Sequence, residues 1–316
     1  MVSTETSANN KTIWANLLHL GYNMWADRDT PEHPVKHFKA QPYLRFDVDL
    51  WNELTQKMAD VGMNMVVIDL GEGVKYESHP ELAVENSWTV DRLKQEIRRL
   101  RDLGLEPIPK MNFSACHDLW LGPYSRRLCT PEYYEVCRDL IAEVSDIFEK
   151  PRFFHIGMDE ETSEIQRFYE YVVVRQHDLW WRDFNFFVEQ VEKGGSRAWI
   201  WSDYLWHHPE PFWNRMPKSV IQSNWYYEDS FSKKINWVKA YLDLEEHGYD
   251  QVPTGSNWAF PKNFEKTVPF CKKNIAPERL LGFMTAPWHP TLMEFRDHHI
   301  QAIEQVARGI KRFESK

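Results

Sequence analysis

Apolar residues return along this chain in two alternating rhythms, short continuous runs and longer stretches with a three-to-four-residue repeat. The continuous runs are 13–20 (IWANLLHL), Met65–Leu70, Leu105–Met111, the stretch opening at Phe153, Ala198–Trp201, Val220–Asn224, Gln251–Gly255 and Leu280–Thr285. Runs of this length predict strands buried on both faces, as in parallel sheets. Helical repeats lie between most of them. Asp49–Asp60 places Leu50, Leu54 and Met58 four apart, and Val90–Leu103 starts behind a Thr89 cap and stops at Gly104. The stretch 131–149 opens with Pro131 and lines up Cys137, Leu140, Ile141, Val144, Ile147 and Phe148 on one face. Further helices are predicted at 168–192, 233–246, 262–273 and 294–312. Eight strands alternating with helices predict a single (β/α)8 TIM barrel over residues 13–316, after an extended or disordered segment 1–12. A doubly wound sheet shares the alternation but needs a glycine-rich phosphate loop, and none is present.

Composition narrows the partners. The 316 residues carry a net charge of −9 with mixed signs, which argues against nucleic acid because phosphate binding needs a basic surface. No run of about 18 apolar residues is present to span a membrane. The first ten residues, MVSTETSANN, lack an apolar core, so a cytoplasmic location is expected, although a trimmed leader would leave the same picture. The four cysteines are scattered and read as reduced thiols. His207-His208 and His298-His299 are adjacent pairs whose rings point in different directions, so neither a metal nor a cofactor is expected. No Gly-x-Ser-x-Gly elbow supports a serine hydrolase.

Barrel enzymes build their sites at the carboxyl ends of the strands. Those ends deliver Asp69, Glu72, Asn112, His117, Asp159, Glu160, Trp201, Asp203, Trp225, Tyr226, Asn257, Trp258 and Trp288. Four strand-end tryptophans out of fifteen predict a stacking box for a sugar rather than core packing alone. The richest stretch is Phe153-Phe154-His155-Ile156-Gly157-Met158-Asp159-Glu160-Glu161. His155 needs a polar partner inside an apolar run, Gly157 lets backbone or ligand come close, and three carboxylates follow. Carboxylates crowded together raise one another's pKa, which keeps one protonated for acid catalysis.

His155-Ile156-Gly157-Met158-Asp159-Glu160 resembles the His-x-Gly-x-Asp-Glu signature of the family 20 glycoside hydrolases, the β-N-acetylhexosaminidases. The preceding Leu128-Cys129-Thr130-Pro131-Glu132-Tyr133-Tyr134, helix and Phe-rich strand follow the family's order. Pro109-Lys110-Met111-Asn112 with His117 resembles a degraded form of its Pro-Glu-x-Asp-x-Pro-Gly-His segment. The likeness covers roughly residues 105–161 and is architectural elsewhere; the family's usual amino-terminal domain has no counterpart in these residues.

The resemblance implies a retaining, substrate-assisted hydrolase of terminal N-acetylhexosaminides, with a glycan or oligosaccharide as its partner. Glu160 would be the general acid/base, and Asp159 would orient the substrate's 2-acetamido group. Trp201, Trp225 and Trp288 fall where ring-enclosing tryptophans are expected, with Asp203, Tyr226, Trp258, Asn23, His117 and Asn112 as further substrate contacts. His117 can equally stabilise its loop together with Asp118, and Glu161 has no family role. Several positions depart from the family. Asn23 stands for a sugar-gripping arginine, Lys110 and Asn112 for a glutamate and an aspartate, Pro290 for an acid, and Trp258 for a tyrosine that Tyr226 would replace. Altered specificity follows from these changes more naturally than lost activity. Two other readings stay open: a glycosidase of different specificity using Glu160 with Asp203, and a degenerate sugar-binding barrel.

Overall fold

The computed structural model describes residues 11–30 and 37–315, so most of the predicted segment 1–12 lies outside the described residues. The barrel strands are β1 (Ile13–His19), β2 (Met65–Asp69), β3 (Glu106–Lys110), β4 (Phe153–His155), β5 (Arg197–Trp201), β6 (Ile221–Ser223), β7 (Thr254–Gly255) and β8 (Gly282–Thr285). Every pairing among them is parallel, in the order β6-β5-β4-β3-β2-β1-β8-β7. Parallel bridges Gln222↔Gln251 and Trp225↔Thr254 join the two ends of the sheet. The result is a (β/α)8 barrel, in which no sheet edge is left unpaired.

The helices are α1 (Val48–Asp60), α2 (Val90–Asp102), α3 (Pro131–Ile147), α4 (Asp178–Lys193), α5 (Tyr204–His207), α6 (Pro209–Arg215), α7 (Asn236–Glu246), α8 (Asn263–Asn274) and α9 (Arg296–Glu314). Side-chain caps start the first three: Asp47 accepts from Leu50 N, Thr89 from Arg92 N and Thr130 from Tyr133 N. The two short helices α5 and α6 fill the connection after β5, where no helix was predicted. No helix among the described residues is long and apolar enough to cross a membrane.

One predicted helix is ten residues too long. The stretch 168–192 is helical only from Asp178, because tertiary hydrogen bonds take the earlier residues. Gln166 donates to the carbonyls of Ala115 and Val173 and accepts from Val173 N. Tyr169 donates to the carbonyls of Met24 and Cys116, and Arg175 turns inward to Glu161. These partners replace helical hydrogen bonds and lay residues 169–177 across the mouth of the barrel.

Side chains alternate along each strand between the barrel interior and the helices. Ile13, Ala15, Leu17, Met65, Val67, Ile108, Phe153 and Trp199 fill the interior, while Trp14, Leu18, Val66, Ile68, Phe154 and Ile200 pack on the helices. The same parity brings His19, Asp69, Lys110 and His155 into one interior layer, since each is the register partner of the next. Lys110 is fully buried and donates to Asp69. Burial works against an ionised Asp69, but Lys110 and His19 outweigh it and hold its pKa at about 2. Burial, with Lys110 adding to it, keeps His155 uncharged well below the usual imidazole range, and its Nδ1 accepts from Gly157 N at 3.1 Å.

Removing one member of this buried pair strands the other charge. Lys110→Met is expected to lower stability by about 3–5 kcal/mol, and Lys110→Met/Asp69→Leu to recover most of that loss. Urea unfolding of the two variants measures the difference.

Candidate active site

The backbone after β4 turns through a left-handed path. Gly157, Met158 and Glu160 have φ of 71°, 72° and 53°. Glycine takes the first without strain, and nothing larger fits, because an added Cβ would lie 2.0 Å from Asn112 Oδ1. The left-handed Met158 and Glu160 cost about 1–3 kcal/mol each and persist only where neighbours fix them. Asn112 Oδ1 accepts from Met158 N at 3.2 Å, and Asp203 Oδ2 accepts from Glu160 N at 2.8 Å. Glu161 accepts from Ala115 N, and from the backbone N, Nε and Nη2 of Arg175. Arg175, itself buried, also reaches Asp183 and the carbonyl of Phe113. The third carboxylate of the acidic triplet therefore anchors the turn that presents the second.

Asp159 and Glu160 face one imidazole. His117 Nε2 lies 3.5 Å from Asp159 Oδ2 and 3.3 Å from Glu160 Oε2. Burial disfavours a charged His117, but the two carboxylates outweigh it and raise its pKa to about 9, so the ring is an imidazolium at neutral pH. These three side chains have the spacing of a cation site, with ligand atoms within 4.8 Å of one another. Asp159 Oδ1 accepts from Asn112 Nδ2 at 2.8 Å, which fixes the plane of its carboxylate. Asp203 is buried beside them; burial first, then Asp159 and Glu160, push its pKa above the usual carboxylate range.

A cavity of about 410 Å³ opens above Asp159 and Glu160, walled by Trp25, Phe38, Trp225, Tyr227, Trp258 and Trp288. Trp288, held at φ 56° with its carbonyl accepting from the Tyr22 hydroxyl, stands edge-on to Trp25. Trp225 stacks on Tyr227 with centroids 5.2 Å apart, and its indole N–H points to Asp203 Oδ1 at 3.4 Å. Rigid aromatic faces around two carboxylates suit a ring that is apolar on its faces and polar at its rim.

Of the residues predicted to bind substrate, Trp225, Tyr226, Trp258 and Trp288 border this cavity. Asp203 borders a second cavity, which also touches Glu160. Trp201 lies wholly buried against Trp288, with centroids 5.6 Å apart, and does not line the cavity. His117 lies against both carboxylates and Asn112 donates to Asp159, and neither lines the cavity. Asn23 is a correction: its amide donates to Gln41 O and accepts from Gln41 N and Arg45, so it closes its own loop instead of gripping a ligand. Among strand-end candidates, Glu72 likewise holds the Tyr22 and Asn23 amides, and Asn257 is tied to His298 and Gln301. Sequence reasoning missed Trp25, Phe38, Trp206, Trp237, Tyr227 and the Glu161–Arg175 pair. The period-two alternation of a strand end was the available signal for Tyr227, which shares a side with Trp225. Its hydroxyl is buried without a hydrogen-bond partner, whereas the Tyr226 ring packs edge-on against Phe231.

No protein-family model matches this chain, and no curated protein sequence matches it. The fold has many counterparts among solved structures. A β-N-acetylhexosaminidase from Bacteroides fragilis superposes with a TM-score of 0.63 at 14% identity, over 94% of this chain and 65% of the other. A family 20 exo-β-N-acetylglucosaminidase from Vibrio harveyi, solved with N-acetylglucosamine, gives 0.61 at 15% identity, over 94% and 54%. A family 20 β-N-acetylhexosaminidase from Streptomyces coelicolor gives 0.63 at 12%, over 94% and 64%. The chain thus has the barrel architecture of these enzymes and spans between about half and two thirds of their lengths.

The pKa of His117 sets a sign for pH dependence. Raised in the folded state above the ordinary 6.5, it stabilises the fold fully below pH 6.5 and loses that contribution as pH rises through about 9. We expect unfolding free energy to fall by roughly 2–3 kcal/mol over that window and His117→Gln to remove most of the slope. Asp203, also raised, acts in the same direction, so the residual slope should vanish in His117→Gln/Asp203→Asn. Chemical denaturation across pH 6–10 reads both effects.

Proposed function

We propose that this chain is a glycoside hydrolase that removes terminal N-acetylhexosamine residues with retention, using the substrate's acetamido oxygen as the nucleophile. The observation that supports it most is the pair Asp159 and Glu160, braced by one imidazolium and opening into an aromatic cavity. Glu160, partly exposed on the cavity floor, protonates the departing glycosidic oxygen and then activates water as a base. Asp159, held by Asn112 and His117, accepts the acetamido N–H and turns its carbonyl oxygen toward the anomeric carbon. The unpartnered hydroxyl of Tyr227 is the donor available to that oxygen as the ring closes. Trp288, Trp225 and Trp258 supply the stacking faces, and fixed positions of all these groups lower the entropy cost of cyclisation. Similarity of fold to N-acetylhexosaminidases agrees with this reading.

The alternative with Asp203 as a protein nucleophile has less in its favour. Both Asp203 oxygens face donors, the amide of Glu160 and the indole of Trp225, and its raised pKa favours the protonated form. A neutral carboxyl is a poor nucleophile.

Glu160→Gln removes the proton donor with little change of shape. Hydrolysis of substrates with poor leaving groups should slow by roughly 10²–10⁴-fold, while activated aryl glycosides lose less. An unchanged rate on a natural glycoside would place the acid elsewhere.

A thiazoline mimic of the cyclised intermediate should bind about 10²-fold or more tighter than substrate, and Asp159→Ala should weaken it. Asp203→Asn should keep most of the turnover. A covalent adduct on Asp203 after incubation with a 2-fluoro glycoside, seen by mass spectrometry, would end the substrate-assisted reading.

A further inference from the structure

Among the described residues, one group of side chains has the make-up of a metal site: His117, Asp159 and Glu160. We propose that these three side chains bind a divalent transition-metal ion, Zn²⁺ above all, and that the bound ion shuts the site down. The binding stands on the geometry of the cluster, and the shutdown rests on the hydrolase reading.

Spacing carries the first part. Zinc bonds to imidazole nitrogen and carboxylate oxygen are about 2.0–2.2 Å long, so two ligands of a tetrahedral ion lie about 3.3–3.6 Å apart. His117 Nε2 is 3.3 Å from Glu160 Oε2 and 3.5 Å from Asp159 Oδ2, two edges of such a tetrahedron. All three atoms lie within 4.8 Å of one another, and the Glu160 side chain, 28% exposed, is the one with freedom to settle the third edge. Asp159 is already oriented, since Asn112 occupies Oδ1 and leaves Oδ2 to face the ring. His117 Nε2 is buried within reach of both oxygens and hydrogen-bonds to neither. Its N–H therefore points between the carboxylates, where an ion would sit. The cavity opens above Asp159 and Glu160, which gives an ion a way in and leaves its fourth position to water.

The donor set decides which ion. One imidazole and two carboxylates fall short of the six to eight oxygens that Ca²⁺ takes and do not suit the oxygen shell of Mg²⁺. Nitrogen and oxygen at tetrahedral spacing suit Zn²⁺. Binding is an exchange: the Nε2–H bond breaks, its proton passes to solvent, and the lone pair left on the ring forms the metal bond. A divalent ion with a neutral imidazole between two carboxylates leaves the cluster without net charge. The support around the ring is incomplete, however, because His117 Nδ1 is buried without a hydrogen-bond partner. A resident zinc site gives its histidine such a partner, and losing it costs about 10–100-fold in affinity. The displaced proton adds to that deficit, which makes this a reversible, micromolar site.

Occupancy and chemistry exclude each other. The ion takes the lone pair on which Glu160 would carry its proton, and the oxygen of Asp159 that would face an acetamido N–H. Zinc and substrate therefore compete for the same two carboxylates.

Calorimetry tests the site directly, with the unmodified protein freed of metal by a chelator and titrated with ZnCl₂ or MgCl₂. One Zn²⁺ per chain should bind in the micromolar range, and Mg²⁺ should not. Glu160→Gln and His117→Gln should each weaken Zn²⁺ by about tenfold or more, since losing a ligand costs no less than losing its support. The partly exposed Glu160 guards against a folding defect. His207→Ala/His208→Ala, which removes an exposed histidine pair, should leave the affinity unchanged. Co²⁺ in place of Zn²⁺ should show the intense visible absorption of a four-coordinate ion, without the thiolate band that the neighbouring Cys116 would add. Absence of saturable binding below millimolar Zn²⁺, equal binding of Mg²⁺, affinity that survives both Glu160→Gln and His117→Gln, or loss confined to the histidine-pair variant would each overturn the proposal. Turnover of aryl N-acetylglucosaminides is scored separately: Zn²⁺ should raise KM with kcat unchanged, and a chelator should reverse it. Turnover unaffected by saturating Zn²⁺ overturns the proposal and leaves the hydrolase reading standing. Binding that both variants abolish, in a protein without turnover, removes the hydrolase reading alone.

Discussion

The site depends on one piece of backbone, the left-handed turn Gly157–Glu160 at the end of a three-residue strand. A relaxed extended exit from β4 would alternate its side chains and point Asp159 and Glu160 to opposite sides. Positive φ at Gly157, Met158 and Glu160 breaks that alternation and lets both carboxylates meet His117. Such a turn is unstable alone and is held by groups from three other places in the chain: Asn112 after β3, Asp203 after β5, and Arg175 from the loop before α4. Much of what surrounds the acid pair serves this geometry. The cap on the ladder of constraints is Glu161, whose carboxylate takes four donors and leaves none of its charge unanswered.

Architecture was legible in the sequence because its signal is redundant. Eight apolar runs separated by helical repeats leave little freedom, and strand starts such as Ile13 and Met65 fell where the pattern put them. The failures share one cause. Residues 168–177 have helical composition, yet Gln166, Tyr169 and Arg175 find better partners across the barrel mouth, and no local pattern encodes a partner fifty residues away. The same blindness applies to the site. Asp159 and Glu160 were visible through their spacing and resemblance, but Trp25 enters from a loop and Trp206 and Trp237 from α5 and the first turn of α7, whose placement is set by tertiary contacts. Asn23 was misassigned for the converse reason, since sequence shows that an amide is present but not that Gln41 and Arg45 already occupy it.

The departures from the family pattern become coherent when the interior layer is considered. Lys110, which stands where a glutamate was expected, is not turned toward a ligand; it lies buried against Asp69. A cation there complements an anion on the neighbouring strand, so the exchange belongs to the barrel's packing. Asn112, where the resembled motif has an aspartate, offers an N–H donor to Asp159 at a point where a further carboxylate would add repulsion to an already crowded cluster. Arg45 gathers Tyr22 and Asn23 into the β1 loop, so the guanidinium near that strand end also serves the scaffold.

Once those positions are assigned to the scaffold, few polar groups remain to grip the cleaved sugar. Asp159, Glu160, Tyr226, Tyr227 and Glu228 are the polar side chains that line a cavity otherwise walled mainly with indole and phenyl faces. Stacking discriminates ring shape more than the orientation of single hydroxyls, because every pyranose presents an apolar face. On the proposed reading, recognition therefore concentrates on the acetamido group at Asp159 and on the ring faces, with little left to sense the far hydroxyls. A site that identifies its substrate by the group that performs the chemistry needs no arginine clamp. On that reading, an acid pair without an arginine clamp is one coherent design.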